Sequence, residues 1–143
     1  PLIIDKIRAK APDSAICGDV IVGFPGETDE AFERTLELMK RVKFDNLNTF
    51  AYSPRPNTEA ALFEDQVEED VKSARLQRVQ KLANEHGLER SERYLHRTEE
   101  VLVEDANPRN PNQVFGRTRQ GRQVFFDGSL EELEGTFVNV LIT

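Results

Sequence analysis

Residues 18–27 read Gly-Asp-Val-Ile-Val-Gly-Phe-Pro-Gly-Glu, and this stretch decides the fold of the first half of the chain. An apolar run from Ala15 to Gly23, broken only by Gly18 and Asp19, is typical of a β-strand covered on both faces. The turn that follows leads into Thr28, whose hydroxyl suits the start of a helix. Because side chains and free backbone groups converge in the loops after parallel strands, we expect a ligand site at the carboxyl end of this strand.

A parallel strand–helix–strand unit is predicted around this stretch. Apolar residues recur at helical spacing as far as Lys43, and a second strand follows at about Asn46 to Tyr52. A long helix is predicted from about Val67 to Arg97. Its expected apolar stripe is Val71, Leu76, Val79, Leu82 and Ala83, and its expected solvent-facing cations are Lys72, Arg75, Arg78 and Lys81. Two parallel strands alone leave their edges and faces uncovered, so we expect this half to be a piece of a larger α/β domain.

The start of the chain predicts the end of a helix. Leu2, Ile3, Ile4 and Ile7 form its apolar face, and Pro12 stops it. The sequence shows no basic-then-apolar leader and no apolar run long enough to span a bilayer, so we expect a cytoplasmic protein.

The hydrophobic period changes to two from Glu100 onward. Strands are predicted around Val101 and Val103, then at Val114 to Arg119, Gln123 to Phe126 and Phe137 to Ile142, separated by turn signals. The change of period places a domain boundary near Thr98. The predicted fold class is therefore an α/β part followed by an all-β part.

Charge is distributed unevenly along this chain of 143 residues, whose formal net charge is −7. The window from Asn107 to Gln123 contains no acidic residue, yet it holds Arg109, Arg117, Arg119 and Arg122. With Phe115, Phe125 and Phe126 nearby, the window predicts phosphate contacts and stacking surfaces for a nucleic acid. The alternative is that these charges protect a sheet edge from strand addition.

The histidines and the single cysteine are expected to have no functional role. One cysteine allows neither an internal disulfide nor a cysteine cluster for a metal ion, and Cys17 is expected to pack as a small buried hydrophobe. His86 and His96 are too far apart to chelate jointly from adjacent helical turns, and we expect both at the surface. No metal ligand is expected in this chain.

Three ordered motifs carry a family resemblance. They are DVIVGFPGET at residues 19–28, Tyr52-Ser53-Pro54-Arg55-Pro56, and Gly116-Arg117-Thr118. With these motifs the chain resembles the carboxyl-terminal part of the radical S-adenosylmethionine tRNA methylthiotransferases. The segments at 100–105 and 116–119 are most similar to cyanobacterial-type members that act on N(6)-isopentenyladenosine. The resemblance covers essentially the whole chain. It implies part of a TIM-like radical S-adenosylmethionine barrel at residues 1–97, and a small OB-like TRAM β-barrel for RNA at residues 98–143, with its last strand expected to be missing.

The resemblance also implies a reaction. In such enzymes a [4Fe-4S] cluster on three cysteines of a C-x-x-x-C-x-x-C loop cleaves S-adenosylmethionine, and the resulting radical takes hydrogen from C2 of the isopentenylated adenosine beside the anticodon. A methylated sulfur from a second [4Fe-4S] cluster is then inserted. The implied cofactors are S-adenosylmethionine and the two clusters, and the implied partners are the tRNA anticodon stem-loop and an electron donor. The protein is expected to be a monomer. Because the cluster cysteines are not among these residues, we expect the fragment alone to be inactive.

Site residues follow from the same resemblance. The segment that closes over the adenine side of the cofactor corresponds to Val22, Gly23, Phe24, Pro25, Gly26 and Glu27. The glycines let the backbone approach a flat ring and Phe24 offers an apolar wall. Glu27 either accepts a hydrogen bond from a ligand or only lies at the positive end of a helix.

Arg55 is expected to grip a carboxylate or phosphate, with a solvated loop arginine as the alternative. Asn57 stands where the family usually has glycine, and its tolerance of positive φ predicts that the turn survives. Arg109, Phe115, Arg117, Arg119 and Arg122 are the predicted RNA contacts.

Two other functions stay open. A sister methylthiotransferase would act on threonylcarbamoyladenosine in tRNA or, as a weaker case, on a ribosomal protein. A module made of the long helix and the β domain would bind RNA without catalysis.

Overall fold

The computed structural model describes residues 3–143. Its residues form two compact units, one containing Ile16–Ser91 and the other containing Asp5–Ala15 and Glu92–Thr143. Helix α1, Ile3–Lys10, ends before Pro12 as predicted. The predicted contribution of Leu2 to this helix lies outside the described residues. Within residues 3–143, no helix has both the length and the apolar content needed to cross a membrane.

The first unit contains the predicted parallel strand–helix–strand arrangement. Strand β1 is Cys17–Val22, helix α2 is Asp29–Val42 and strand β2 is Asn46–Ala51. The two strands pair in parallel, with Ile21 opposite Phe50. A short 3-10 helix at Glu59–Leu62 and the long helix α3, Glu69–Glu92, complete the unit.

Helix α2 begins where its sequence predicts. The Thr28 hydroxyl accepts a hydrogen bond from the Ala31 N–H at 3.2 Å, which satisfies one of the free donors of the first turn. Its apolar side chains join β1 and α3 in one core. The buried members of that core are Val22, Phe32, Leu36, Met39 and Val79.

One face of the two-stranded sheet is uncovered within residues 3–143. Ile21 and Phe50 are 57% and 53% exposed, and they share this face with Cys17, Asp19, Asn46 and Asn48. The prediction that β1 is covered on both faces is therefore wrong for this part of the chain, because the packing elements of the unit cover only the Val20 and Val22 face. Cys17 lies on the open face, so its predicted burial is also wrong.

Helix α3 differs most from its prediction. It ends at Glu92 rather than near Arg97. Lys72 and Arg75, which were predicted to face solvent, are buried, because the Lys72 stem packs beside Gly23 and the Arg75 guanidinium binds Glu27, both in the loop that follows β1. His86 is buried as well, which contradicts its predicted surface position. His96 is exposed, as predicted.

The second unit contains a curled antiparallel sheet. Its strands are β3 (Thr98–Ala106), β4 (Gln113–Thr118), β5 (Gln123–Asp127) and β6 (Phe137–Leu141), and the short helix α4 (Leu130–Leu133) lies between the last two. They pair in the order β5-β4-β3-β6. Alternate residues of β3 and β4, among them Val101, Val103 and Val114, are buried on the inner face.

Gly116 allows close contact between β4 and β3. A Cβ atom at this position would lie 2.1 Å from the carbonyl oxygen of Leu102, so no larger residue fits without moving the backbone. The pairing register shifts between Val103 and Asp105, beside this contact. A bulge of this kind bends a strand and increases its twist, which fits the curl of the sheet.

Candidate functional site

Most of the residues that the sequence singles out lie at two surfaces, and Arg55 belongs to neither. The first is the loop after β1, residues 23–27, which we call the glycine loop. The second is the outer, exposed face of the antiparallel sheet. They lie in different units of the chain, and each is described separately.

Glu27 closes the glycine loop onto the long helix. Its Oε2 accepts a hydrogen bond from the Gly23 N–H at 2.6 Å and another from Arg75 at 2.8 Å. Arg75 also donates to the Glu27 carbonyl oxygen at 2.9 Å. The Glu27 carboxylate therefore has an internal structural role, which neither sequence-based alternative for this residue anticipated.

The Arg75 guanidinium keeps its charge despite burial. Burial by itself lowers the pKa of Arg75, but Asp29 and Glu27 raise it, and the net shift is upward. The second ion pair joins Arg75 to Asp29 at 2.7 Å, and the guanidinium lies over the Phe32 ring. Buried charges persist in proteins when they are paired and hydrogen-bonded in this way.

Lys72 occupies the space beside Gly23. Gly23 has a φ of 71°, and a Cβ atom there would lie 2.1 Å from Cγ of Lys72. The Lys72 ammonium lies near the Tyr52 carbonyl oxygen and pairs with Glu69. Glycine permits another group to lie close to the backbone here, and in this structure that group is the aliphatic stem of Lys72.

Gly26 is held in a similar way on the other side of the loop. Its N–H donates to the Asp65 carbonyl oxygen at 2.9 Å, and a Cβ atom would lie 2.5 Å from the Asp65 carboxylate. Val22 and Pro25 are buried. Of the predicted cofactor-binding side chains, Phe24 is the large one that remains partly accessible. Its ring makes edge contacts with Tyr52 and Phe63, at centroid distances of 5.2 and 6.4 Å.

Arg55 lies exposed in the loop after β2. Its carbonyl oxygen accepts from the Thr58 hydroxyl at 2.8 Å, and Asn57 has a φ of 66°, which confirms the predicted turn. Within the described residues, the Arg55 guanidinium makes no ion pair or hydrogen bond, including any with the glycine loop.

The predicted RNA-binding arginines differ in their surroundings. Arg117 pairs with Glu104 at 3.2 Å and Arg119 pairs with Glu100 at 2.9 Å. Acidic side chains of β3 therefore lie beside the arginines of residues 107–123, although that window contains no acidic residue in the sequence. Arg122 is half-buried and also has an interaction of its own. The Arg109 guanidinium is exposed and has neither an ion pair nor a hydrogen bond within residues 3–143.

Arg109 borders a shallow cavity of about 540 Å³ in the second unit. Phe115 and Phe125 are direct cross-strand partners, and their ring centroids lie 5.8 Å apart. Phe125 is 50% exposed. We call this cavity the Phe125 pocket, and the residues that line it are Asn107, Pro108, Arg109, Phe115, Gln123 and Phe125.

No metal centre is assembled in the described part of the chain. Among residues 3–143, His, Cys, Asp and Glu side chains do not gather in any group of three or more that can hold a metal ion.

The second unit has a recognisable family. Residues 92–143 match the family model described as the TRAM domain. The match begins at Glu92, where the second compact unit also resumes along the chain, and it spans all of the antiparallel sheet. The chain therefore contains a TRAM domain, built on the curled sheet of β3 to β6.

Proposed function

We propose that residues 92–143 bind RNA, and that the chain is the carboxyl-terminal part of a radical S-adenosylmethionine tRNA methylthiotransferase. The observation that carries the RNA-binding part is the TRAM-domain match on a sheet whose outer face carries Arg117 and the half-exposed ring of Phe125. Arginines supply phosphate contacts, and aromatic rings supply surfaces on which unpaired bases stack.

The charge of the whole chain requires that this contact be local. A net charge of −7 repels a polyanion at long range, so the affinity must come from the outer face of the sheet. Arg109 is exposed, and the two arginine–glutamate pairs lie at the surface, where a phosphate can compete for the guanidinium. We therefore expect weak, strongly salt-dependent binding.

The enzymatic part of the proposal rests on the sequence motifs and on the first unit. Three exposed apolar side chains, Ile21, Phe24 and Phe50, stand at or beyond the carboxyl ends of the parallel strands, the usual position of a ligand in such sheets. They are suited to hold the flat adenine ring of S-adenosylmethionine. The backbone of Gly23 is not, since Lys72 covers it. When bound, this cofactor supplies a radical that abstracts hydrogen from the RNA substrate.

Nucleoside analysis of tRNA tests the enzymatic part. Disrupting the gene that encodes this chain should remove the 2-methylthio group from N(6)-isopentenyladenosine and leave the parent nucleoside, as measured by liquid chromatography with mass spectrometry. Loss of the methylthio group from threonylcarbamoyladenosine instead would select the sister enzyme. Unchanged nucleosides would overturn the methylthiotransferase assignment and leave the RNA-binding module.

Arg55 has a separate test in the complete enzyme. The exposure of Arg55 beyond β2 supports the proposal that its guanidinium grips a carboxylate or phosphate of the substrate or cofactor. Arg55→Ala should lower turnover with little effect on tRNA affinity. A loss of tRNA affinity alone would reassign Arg55 to the RNA surface.

A further inference from the structure

We propose that the Phe125 pocket is a single-nucleotide site, in which one unpaired RNA base stacks on Phe125 while Arg109 holds an adjacent phosphate. The inference rests on the proposal that residues 92–143 bind RNA, and it names the part of the RNA that is recognised and the residues that recognise it. The occupant is an unpaired base because a base in a duplex has no free face to offer a ring.

The floor of the pocket is suited to stacking. Phe115 and Phe125 lie side by side on neighbouring strands, and their paired positions fix the distance between the two rings. Half of the Phe125 surface remains exposed, although burying such a ring is favourable. A volume of about 540 Å³ lies within the range of roughly 300–1,000 Å³ that is typical of small-ligand sites.

The rim of the pocket supplies one cation and one amide. The Arg109 guanidinium has no anionic partner in the described part of the chain, so a phosphate can bind it without displacing a carboxylate. The Gln123 side chain also lines the pocket and makes no hydrogen bond within residues 3–143. An amide can both donate to and accept from a base edge.

The loop that carries Arg109 is held by hydrogen bonds of its own asparagine side chains. The Asn107 side chain accepts from the Arg109 N–H at 3.0 Å and donates to Gln113 at 3.0 Å. Asn110 repeats the first of these bonds with the Asn112 N–H at 3.1 Å. Binding therefore orders mainly the Arg109 side chain, which limits the entropic cost.

A tryptophan substitution tests the stacking directly. The chain contains no tryptophan, so Phe125→Trp places a single indole in the pocket and keeps a flat ring there. Titration with a short single-stranded RNA should quench its fluorescence saturably. Phe137→Trp is the matched control, because Phe137 is 66% exposed on β6, the opposite edge strand of the same sheet, and does not line the pocket.

Affinity measurements separate the two contacts. By anisotropy of a labelled RNA, Phe125→Ala should weaken binding about 5- to 150-fold and leave the salt dependence unchanged, since one stacked base is lost. Arg109→Ala should reduce the slope of log affinity against log salt by about 0.7, the value for one phosphate of a single strand. Phe137→Ala should change the affinity by less than about twofold.

The two proposals fail in different ways. If the unaltered chain binds no RNA, the RNA-binding function itself is wrong. If it binds RNA but Phe125→Ala matches the parent or Phe137→Ala, or if the indole at 125 is not quenched, RNA binds elsewhere on the domain and the nucleotide site is overturned. That second result would also be expected if the pocket takes an apolar side chain of a protein partner.

Discussion

The carboxylate of Glu27 lies 2.8 Å from the guanidinium of Arg75, and only 12% and 8% of the two side chains are exposed. The same carboxylate oxygen accepts the Gly23 N–H. The two hydrogen bonds join both ends of the glycine loop to Arg75 of α3. The loop is therefore held by the buried ion pair between its own Glu27 and Arg75 of α3, in addition to its own turn geometry.

Glu27→Gln should destabilise the chain by about 2–3 kcal/mol. The substitution leaves Arg75 buried with one anionic partner fewer, and hydrogen bonds to charged groups contribute about 1.5–3 kcal/mol each. Urea unfolding measures the loss. Glu33→Gln is the matched control, because it removes the Arg78 ion pair in which both side chains are about half exposed, and it should cost less than about 1 kcal/mol. Equal losses in the two variants would contradict a structural role for the buried pair.

Gly23→Ala should be more damaging than the same substitution at Gly135. Both glycines have a φ of 71°, so the backbone strain is matched. Gly23 meets the Lys72 stem, whereas Gly135 has no neighbouring atom within 4 Å of a Cβ position. We expect Gly135→Ala to cost about 1 kcal/mol and Gly23→Ala about 1–3 kcal/mol more.

Thermal unfolding compares the two glycine variants. Lys72→Ala provides a second comparison, because it removes the Cγ and Cδ atoms that a Cβ atom at Gly23 would meet at 2.1 and 2.7 Å and keeps only the Lys72 Cβ at 3.3 Å. In that background most of the extra cost of Gly23→Ala over Gly135→Ala should disappear. If the extra cost persists without the lysine stem, contact with Lys72 is not its cause.

His86 should make the stability of the chain depend on pH. Burial lowers the pKa of His86 below its ordinary value, while Glu89 opposes the shift and Lys43 adds to it. The unfolded chain therefore binds a proton more readily than the folded chain. The stabilisation that comes from neutral His86 is complete above about pH 6.5, the ordinary pKa of a histidine in an unfolded chain. It is lost as the pH falls through the lower pKa that His86 has in the folded chain.

Urea midpoints measured between about pH 8 and about pH 5 check the His86 prediction, since most carboxylates titrate below this window. His86→Gln should flatten the decline, and His96→Gln, at the exposed histidine, should not. A decline that survives His86→Gln would assign it to another group.

Removing the acids beside the arginines should strengthen RNA binding. Glu100 and Glu104 occupy the guanidinium groups of Arg119 and Arg117, and a phosphate must displace them. An exposed ion pair is worth up to about 1 kcal/mol, so each of Glu100→Gln and Glu104→Gln should raise the affinity by up to about fivefold at low salt.

Filter binding at two salt concentrations measures the effect of the acids. Glu131→Gln on α4 removes the same charge from another exposed position and is the control. A similar gain from all three substitutions would mean that net charge, and not release of Arg117 and Arg119, sets the affinity.

The sequence predicts the elements of this fold well because their patterns are local. The apolar spacing that ends in Val42 defines α2, and the Thr28 cap fixes its start. The period of two after Glu100 predicts the strands of the second unit, since alternate side chains point to opposite faces of a sheet. The TRAM-domain match covers the window from Arg109 to Arg122, whose arginines remain predicted RNA contacts.

The surroundings of the functional residues could not be predicted in this way, because they depend on contacts between distant segments. Pairing of Leu102 with Arg117 places Glu100 and Glu104, on either side of Leu102, beside the arginines. Residues 13 and 19 positions apart thereby form the two ion pairs. The four arginines of this window look alike in the sequence, but their interaction partners and exposure differ in the structure.

Helix α3 shows the same distinction. Lys72, Arg75, Val79 and His86 are its buried residues, and their spacing places them on one face of the helix. Local sequence determined that this segment is a helix, and its cations suggested a solvent-facing side. Only the tertiary structure decided that two cations face the core, because the Glu27 carboxylate and the space beside Gly23 are available to them there. The stretch at residues 18–27 thus determines a strand and a turn by itself. The packing of α3 against this stretch decides which backbone and side-chain groups of residues 18–27 remain accessible to a ligand.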